Sequence, residues 1–406
     1  MSAPRARDPL PSWAEWGASA TSEPYSIGIE EEMMLLDPQT WRLAYRIETV
    51  LPALSRELAQ HATAETHGSA LELATGVHSS VPAAAAEVRE LRAALRRDLV
   101  PLGLAAASAG THPSAVWQDT VISTGTRYQE LYGSMRELAR REPTFALHVH
   151  VGVPDPEVAT RLVNALRGHL ALFLALSVNS PFWQGRDTGL ASARTPLFQT
   201  FPRVGTPRAF RDYADYIATV DLMIRCDSLP DPSHLWWDVR PQARFGTVEV
   251  RIMDAQTTPE ETAALAALVQ CVARLEVEEG HVSPVLLGAA EILDENRFLA
   301  ARDGMDVQLI DPAAERRIPA REVLDELLAV CAPHAEDLGC AEELARVRLM
   351  AEATGAERQL AAAAGGEDLY ELVAGLSAAF TGGKTRSYRE PSAGERPASA
   401  LSRRPG

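Results

Sequence analysis

The 406-residue sequence predicts an α+β domain in which one face of a sheet carries the chemistry. Three observations lead there. Four segments alternate apolar and polar residues, or are rich in β-branched residues, as strands are. Long helical segments lie between and after them. Their order has no regular strand–helix–strand rhythm, which suggests α+β.

Residues 1–22 read as a loose leader, whose opening MSAPRARDPLPSWAEWG has no apolar run of signal-peptide length. The first strand spans Tyr25–Leu36. Alternate residues of a strand share a face. Ile27, Ile29, Met33 and Leu35 therefore lie on one side, and Gly28, Glu30 and Glu32 on the other. Two carboxylates so placed repel each other, and a hard divalent cation with oxygen ligands relieves the repulsion. A solvated outer face of an antiparallel sheet accounts for them equally. Glu31 points with the apolar set and, if buried, needs an arginine partner.

The second strand, Ala70–Gly76, carries Glu72 between the small residues Ala70 and Ala74, which leave room for a ligand. An exposed edge residue is the plainer reading. Val88, Leu91, Leu95 and Leu99 form an apolar stripe at helical spacing. The third strand, Thr144–Val153, sets Phe145, Leu147, Val149, Val151 and Val153 on one face and Ala146, His148, His150 and Gly152 on the other. Two histidines on one face bind metal or phosphate, or serve as acid and base, although such pairs are more often structural.

Glu157–Val178 reads as one long buried helix. The stretch Leu176–Gly205 then gathers Gly, Ser, Thr, Arg and aromatic residues in a polar loop, and long ordered loops of this kind are usually functional. Arg186, Arg194 and Arg203 either meet anionic substrate groups there or pair with the acidic surface. Arg127-Tyr128 and Gly110–Pro113 lie in another polar loop. Trp237, Asp238 and Arg240 precede the fourth strand, Gly246–Asp254. In it Val248, Val250 and Ile252 share one face, and Glu249, Arg251 and Met253 the other. A carboxylate beside a guanidinium is a plain ion pair, or a metal ligand next to a phosphate clamp.

Thr258-Pro259-Glu260-Glu261 is a capping box with proline at the first helical position, opening a helix to about Glu276. Pro319–Cys331 is a further amphipathic helix. Residues 384–406, rich in Pro, Ser, Gly and Arg, cannot bury enough apolar surface to offset their ordering entropy, so a disordered tail is expected. Residues 23–383 read as a single domain, helical from about 277.

The composition, 46% hydrophobic and 23% charged, is that of a globular protein. A formal charge of −16 repels phosphate backbones and argues against nucleic acid as a partner. The most apolar stretch, Leu170–Val178, is too short to span a membrane. The four cysteines form no Cys-x-x-Cys pair, which fits a reducing cytoplasm. Lys384 is the only lysine, which excludes a Walker-type phosphate loop. Any phosphate clamp must use arginine, backbone N–H groups or metal.

In order along the chain stand GIEEEMMLLDP, THGSALELATG, GTHP, HVHVGVPD, LSVNSPFWQGRDTGLASAR, WWDVRP and TVEVRIMDAQT. From about Tyr25 to about Glu276 the sequence thus resembles the bacterial carboxylate–amine ligases of the glutamate–cysteine ligase type 2 family. It departs from the family pattern shortly before the His-x-His: Phe145-Ala146-Leu147 stand where Cys-Gly is expected.

The resemblance implies a glutamine-synthetase-like catalytic domain, with a curved, mainly antiparallel sheet backed by helices and cradling ATP and Mg²⁺. It implies activation of glutamate's side-chain carboxylate as an acyl phosphate, then amide formation with an amine such as cysteine. By motif match, Glu30, Glu32, Glu72, His150 and Glu249 are the metal and phosphate shell, and Arg251 contacts the transferred phosphoryl group. Arg194 and Arg240 are candidates to grip the acid or its phosphate, and Asp238 or a histidine to act as base. Thr188, Ser192, His148 and Tyr128 complete the expected substrate or ATP contacts. A homodimer is carried over from the resemblance alone. A metal-dependent amide hydrolase, a phosphotransferase of the same fold and a non-catalytic nucleotide binder remain as alternatives.

Overall fold

The computed structural model describes residues 10–17, 23–141 and 143–382. Among these residues seven strands form the main sheet: β1 (Ile27–Leu36), β2 (Ala62–Ala64), β3 (Ala70–Ala74), β4 (Ala105–Ala107), β5 (Ala146–Gly152), β6 (Val239–Gln242) and β7 (Thr247–Asp254). Their order is β6-β7-β5-β1-β3-β2, with β4 also paired to β1. Every pairing is antiparallel. The four strands expected from the sequence are β1, β3, β5 and β7. The other three are too short to alternate and form because a longer neighbour supplies their hydrogen bonds.

One face of β1, β5 and β7 is apolar and buried, including Ile27, Ile29, Leu147, Val149, Val248 and Val250. It packs in one core with α1 (Val81–Leu99), α3 (Pro156–Leu166), α4 (Leu170–Ser177), α5 (Pro259–Glu278), α6 (Ala320–Leu338) and α7 (Ala341–Glu352). A shorter helix, α2 (Thr126–Met135), lies in a separate apolar cluster. Burying one such aliphatic side chain contributes roughly 1.5–3 kcal/mol. A one-residue slip would turn the whole set outward, so the core fixes the register and with it the opposite, polar face.

Glu31 is the polar exception on the apolar side. Arg92 of α1 donates to it through Nη2 to Oε1 at 2.5 Å and through Nε to Oε2 at 2.9 Å. Thr262 of α5 adds a hydroxyl to Oε1 at 2.6 Å. The arginine partner that burial demands is therefore present.

The capping box of α5 forms with both reciprocal bonds between Thr258 and Glu261. The single helix expected over Glu157–Val178 is instead α3 and α4. The chain turns at Gly168, where a Cβ would lie 2.4 Å from Val282 Cγ2. His169 then anchors the new helix to α5 through Glu276 Oε1 at 2.6 Å. The Pro319–Cys331 helix runs on to Leu338.

Of the leader, residues 10–17 pack on the fold: Ala14 is fully buried, and Trp16 Nε1 donates to Val153 O at 3.1 Å. The expected tail lies outside the described residues.

Candidate active site

Residues directly opposite on antiparallel strands share a face. The register sets Glu30 opposite His148, Glu32 opposite Glu72, His150 opposite Glu249 and Glu249 opposite Arg240. Five strands thus deliver their polar side chains to one surface. In β7 the alternation expected for Met253 fails. The register shifts between Val250 and Met253, so Met253 stands opposite Leu147 and joins the core, not the face of Glu249. The extra residue is a β-bulge beside Arg251. It also returns Asp254 to the polar side, opposite Ala146.

His148 is the hub. Its Nδ1 is 3.1 Å from Glu30 Oε2 and 3.9 Å from Glu249 Oε1, and its Nε2 is 3.8 Å from Glu32 Oε1. Two groups can offer ligand atoms within 4.8 Å of one another: Glu30, His148 and Glu249, and Glu32, Glu72 and His148. His150, expected in the metal shell, is in neither. Its Nδ1 meets Thr247 Oγ1 at 3.0 Å. Its buried Nε2 lies 3.2 Å from Glu30 Oε1 but off the hydrogen-bond direction.

Glu249 is gripped from two sides. Arg240 Nε donates to it at 2.6 Å, and Arg251 Nη1 donates to its other oxygen. Burial would raise this carboxyl, but Arg240 and Arg251 outweigh burial and hold it far below the usual carboxylate range. The neighbouring acids behave oppositely. Burial, with Glu65 adding repulsion, pushes Glu32 up to about 8. Burial together with Glu30, Glu65 and Glu32 raises Glu72 well above the usual range. Burial and the charge of Arg251 lower His148 to about 4, so its ring is neutral at pH 7.

The residues fit a hard divalent cation. Glu32 and Glu72 offer oxygen donors, and neither is hydrogen-bonded to a guanidinium among the described residues. A cation between them lets both ionise at neutral pH.

Beside these acids lies a cavity of about 380 Å³. Its polar end is lined by Glu30, Glu32, Glu65, Glu72, Arg240 and Arg251, with Arg127 and Tyr128 from α2. Its other end is apolar. A second cleft of about 180 Å³ opens on the other side of Glu30, between Gly28, His150 and Phe245.

Other expected residues stand elsewhere. Thr188 donates to Pro181 O, and Ser192 is buried against Asp254 at 2.9 Å. Arg194 donates to the carbonyls of Ile252 and Arg251, bracing the bulge from behind. Asp238 is bound by Arg297 at 2.6 and 3.2 Å. Arg194, Asp238, Arg251 and Arg297 share a separate void of about 10 Å³. Gly110 of the GTHP turn supports this region, since a Cβ there would meet Asp254 Cγ at 2.6 Å. Arg186 is exposed, and Arg203 donates to His234 O. Glu65 also lines the chamber, and its place directly before the THGSALELATG motif is the one mark of it in the sequence.

Comparison with known proteins bears on this arrangement. The model of glutamate–cysteine ligase family 2 matches residues 26–375. A putative glutamate–cysteine ligase 2-1 from Rubrobacter xylanophilus is 40% identical over 338 residues, covering 82% of this chain and 89% of that protein. The chain belongs to glutamate–cysteine ligase family 2.

A second family 2 relative, a putative glutamate–cysteine ligase 2 from Sorangium cellulosum, is 38% identical over 353 residues, covering 86% of this chain and 94% of that one. Among solved structures, the glutamate–cysteine ligase of Francisella tularensis in complex with AMP matches with a TM-score of 0.65 at 15% identity, over 91% of each chain. A bifunctional glutathione synthetase from Pasteurella multocida gives 0.66 at 14% identity, over 88% of this chain and 52% of that one. The expected α+β fold is the one observed, an open antiparallel sheet backed by helices, and it is shared with the Francisella glutamate–cysteine ligase. As a family 2 member the protein is a ligase of the carboxylate–amine type. No helix among the described residues is long and apolar enough to cross a membrane.

Proposed function

We propose that this ligase is ATP-dependent. It phosphorylates the side-chain carboxylate of glutamate, or of a similar acid, and joins the acyl phosphate to an amine such as cysteine. The observation that supports this best is the meeting of Glu30, Glu32, Glu72 and Glu249 with His148, Arg240 and Arg251 on one sheet face, beside a chamber of substrate size. The AMP held by the Francisella relative agrees with nucleotide use.

A carboxylate oxygen is a poor leaving group, and phosphorylation removes that obstacle. Phosphoryl transfer needs mostly positioning and charge neutralisation. Glu32, Glu72 and His148, with Glu30 and Glu249 beside them, would hold Mg²⁺, which when bound neutralises charge on the phosphates. Glu249 fixes the Arg251 guanidinium at the edge of the acids, where it stabilises charge on the moving phosphoryl group. The buried Nε2 of His150 faces the same region and belongs to its phosphate-binding shell. Arg127 lines the chamber beside Glu65 and has no hydrogen bond or ion pair among the described residues, so it receives the acid's second carboxylate. Asp238, held by Arg297, braces the far side of Arg251 and is a weaker candidate for the base than the sequence alone suggests. The cysteine usage supports a cytoplasmic location for the reaction.

The test is ADP release from ATP, Mg²⁺ and glutamate while amines are screened. Release that requires both acid and amine supports the reading. Amide hydrolysis without ATP, or nucleotide binding without turnover in any mixture, overturns it.

A further inference from the structure

Two exposed apolar side chains frame the 180 Å³ cleft on the other side of Glu30. Val77 is 71% exposed and Phe245 45%. One such residue alone needs no account, but these two line a single opening from different parts of the sheet. Val77 follows β3, and Phe245 lies in the turn between β6 and β7.

The backbone makes this opening. Thr75 N–H donates to Ile29 O at 2.9 Å, and Ile27 and His78 exchange bonds at 2.7 and 2.9 Å. Gly76 and Val77 therefore stand opposite Gly28 alone, a β-bulge that turns Val77 outward. Among the described residues, the N–H and C=O of Val77 make no hydrogen bond. Gly28 has no positive φ, and the nearest atom to a Cβ built on it is His150 Cβ at 3.7 Å, an ordinary contact. Neither backbone nor packing demands glycine there. What its missing side chain leaves is room in the cleft.

The walls select a ligand. Among the described residues no arginine or lysine lines the cleft. Arg244, which is exposed, lies over the Phe245 ring at 5.5 Å from its centroid, outside that lining. Thr75 Oγ1 donates to Gly76 O, and Thr247 Oγ1 is 3.0 Å from His150 Nδ1. A substrate that carries a carboxylate finds no cation among these walls. The larger chamber offers Arg127, and Trp236 with Arg203 over it at 5.2 Å. The smaller cleft instead suits a neutral planar ring with donors and acceptors on its edge, which the Val77 backbone can meet. At about 180 Å³ it lies below the roughly 300–1,000 Å³ of pockets that enclose a whole ligand, so it takes part of one. Glu30 lines both cavities and His150 lines this one. A chain of phosphates leaving the cleft past them reaches the carboxylate face.

We propose that this cleft holds the purine ring of the nucleotide, with Gly28, Val77 and Phe245 as the residues that fit it. The larger chamber, its apolar end included, is left to the acid and the amine. The proposal rests on the ATP-dependent reading above and names the subsite for the base.

The test is calorimetric titration of the full chain with ADP and with inorganic tripolyphosphate, both with Mg²⁺. Tripolyphosphate has the phosphates and no base. Gly28→Leu is expected to weaken ADP at least about tenfold and to leave tripolyphosphate within about twofold. Phe245→Ala, at an exposed position, is expected to weaken ADP about fivefold with tripolyphosphate again unaffected. Leu131→Trp, which fills the apolar end of the larger chamber, is expected to leave ADP binding unchanged. Unchanged ADP affinity in folded Gly28→Leu and Phe245→Ala, equal loss of both ligands, or loss of ADP in Leu131→Trp alone overturns the assignment. If Gly28→Leu does not fold, the other two variants decide. ADP bound as expected, with no acid and amine that give ADP release from ATP, overturns the ligase reading and leaves the base site standing. No ADP binding by the wild type overturns both.

Discussion

Arg92 clasps Glu31 with two hydrogen bonds directly beneath the strand that carries Glu30 and Glu32. Both side chains are almost fully buried. The remaining guanidinium donors go to the carbonyls of Gln256, Thr257 and Phe380. This pair ties the central strand of the sheet to α1, to the chain just before α5 and to Phe380 at the end of the helix Leu369–Phe380.

Arg92→Ala leaves a buried carboxylate alone. The expected loss is about 3–5 kcal/mol, read as a lower urea midpoint. The double variant Glu31→Gln, Arg92→Met should recover much of it, because no charge is then stranded. A single variant as stable as wild type would mean that Glu31 reaches water.

Arg251→Lys keeps the charge and loses the fork. The guanidinium serves Glu249 and reaches within 3.4 Å of His148 Nδ1, and an ammonium cannot hold both directions. ADP release should fall by roughly 10²-fold, with the thermal midpoint little changed. Unaltered kinetics would take Arg251 out of the reaction.

Magnesium binding should release protons. Burial and Glu65 push Glu32 up to about 8, so near pH 7 it carries a proton that a cation must displace. Apparent affinity then climbs with pH until about 8, by up to about tenfold per pH unit for each proton. Calorimetry at pH 7 in two buffers of different ionisation enthalpy measures this. Binding heats that do not depend on the buffer would remove Glu32 from the ligand set.

Acid should unfold the protein through its buried histidines. Burial lowers both His67 and His112 to about 4, against about 6.5 in an unfolded chain. As pH falls from about 6.5 to about 4 the unfolded chain takes up protons first, so stability declines across that window and levels off below it. The slope approaches about 1.4 kcal/mol per pH unit for each histidine. Urea midpoints of wild type and His67→Gln at pH 7 and 5 should show the variant losing less stability on acidification. A variant with the wild-type pH dependence would show that His67 binds its proton equally well in the folded and the unfolded chain.

The three long strands β1, β5 and β7 were readable because alternation over seven or more residues has a strong period, and Ala70–Ala74 because Leu71 and Leu73 flank its glutamate. The polar partners of Glu30 and Glu32 followed from which face each side chain takes. The division of labour between His148 and His150 was not readable. Both lie on one face, and only cross-strand register decides that His148 stands among Glu30, Glu32 and Glu249 while His150 turns its Nδ1 toward Thr247. Ser192 and Asp238 carry suitable chemistry, but their partners are far away in the chain, at Asp254 and Arg297, and Thr188 closes a local turn onto Pro181. The helix break at Gly168 depends on Val282, more than a hundred residues on, which no local pattern reveals.

The bulge beside Arg251 makes β7 two rulers laid end to end, offset by one mark. Before it, odd-numbered Glu249 takes the polar face; after it, even-numbered Asp254 does, opposite Ala146. Substitutions within this strand can be absorbed one side chain at a time. Removal of a single residue cannot, because it would turn Met253 onto the acids and drive Asp254 into the hydrocarbon layer. The length of this strand is therefore under stricter control than its composition, and homologues should vary here in letters before they vary in number.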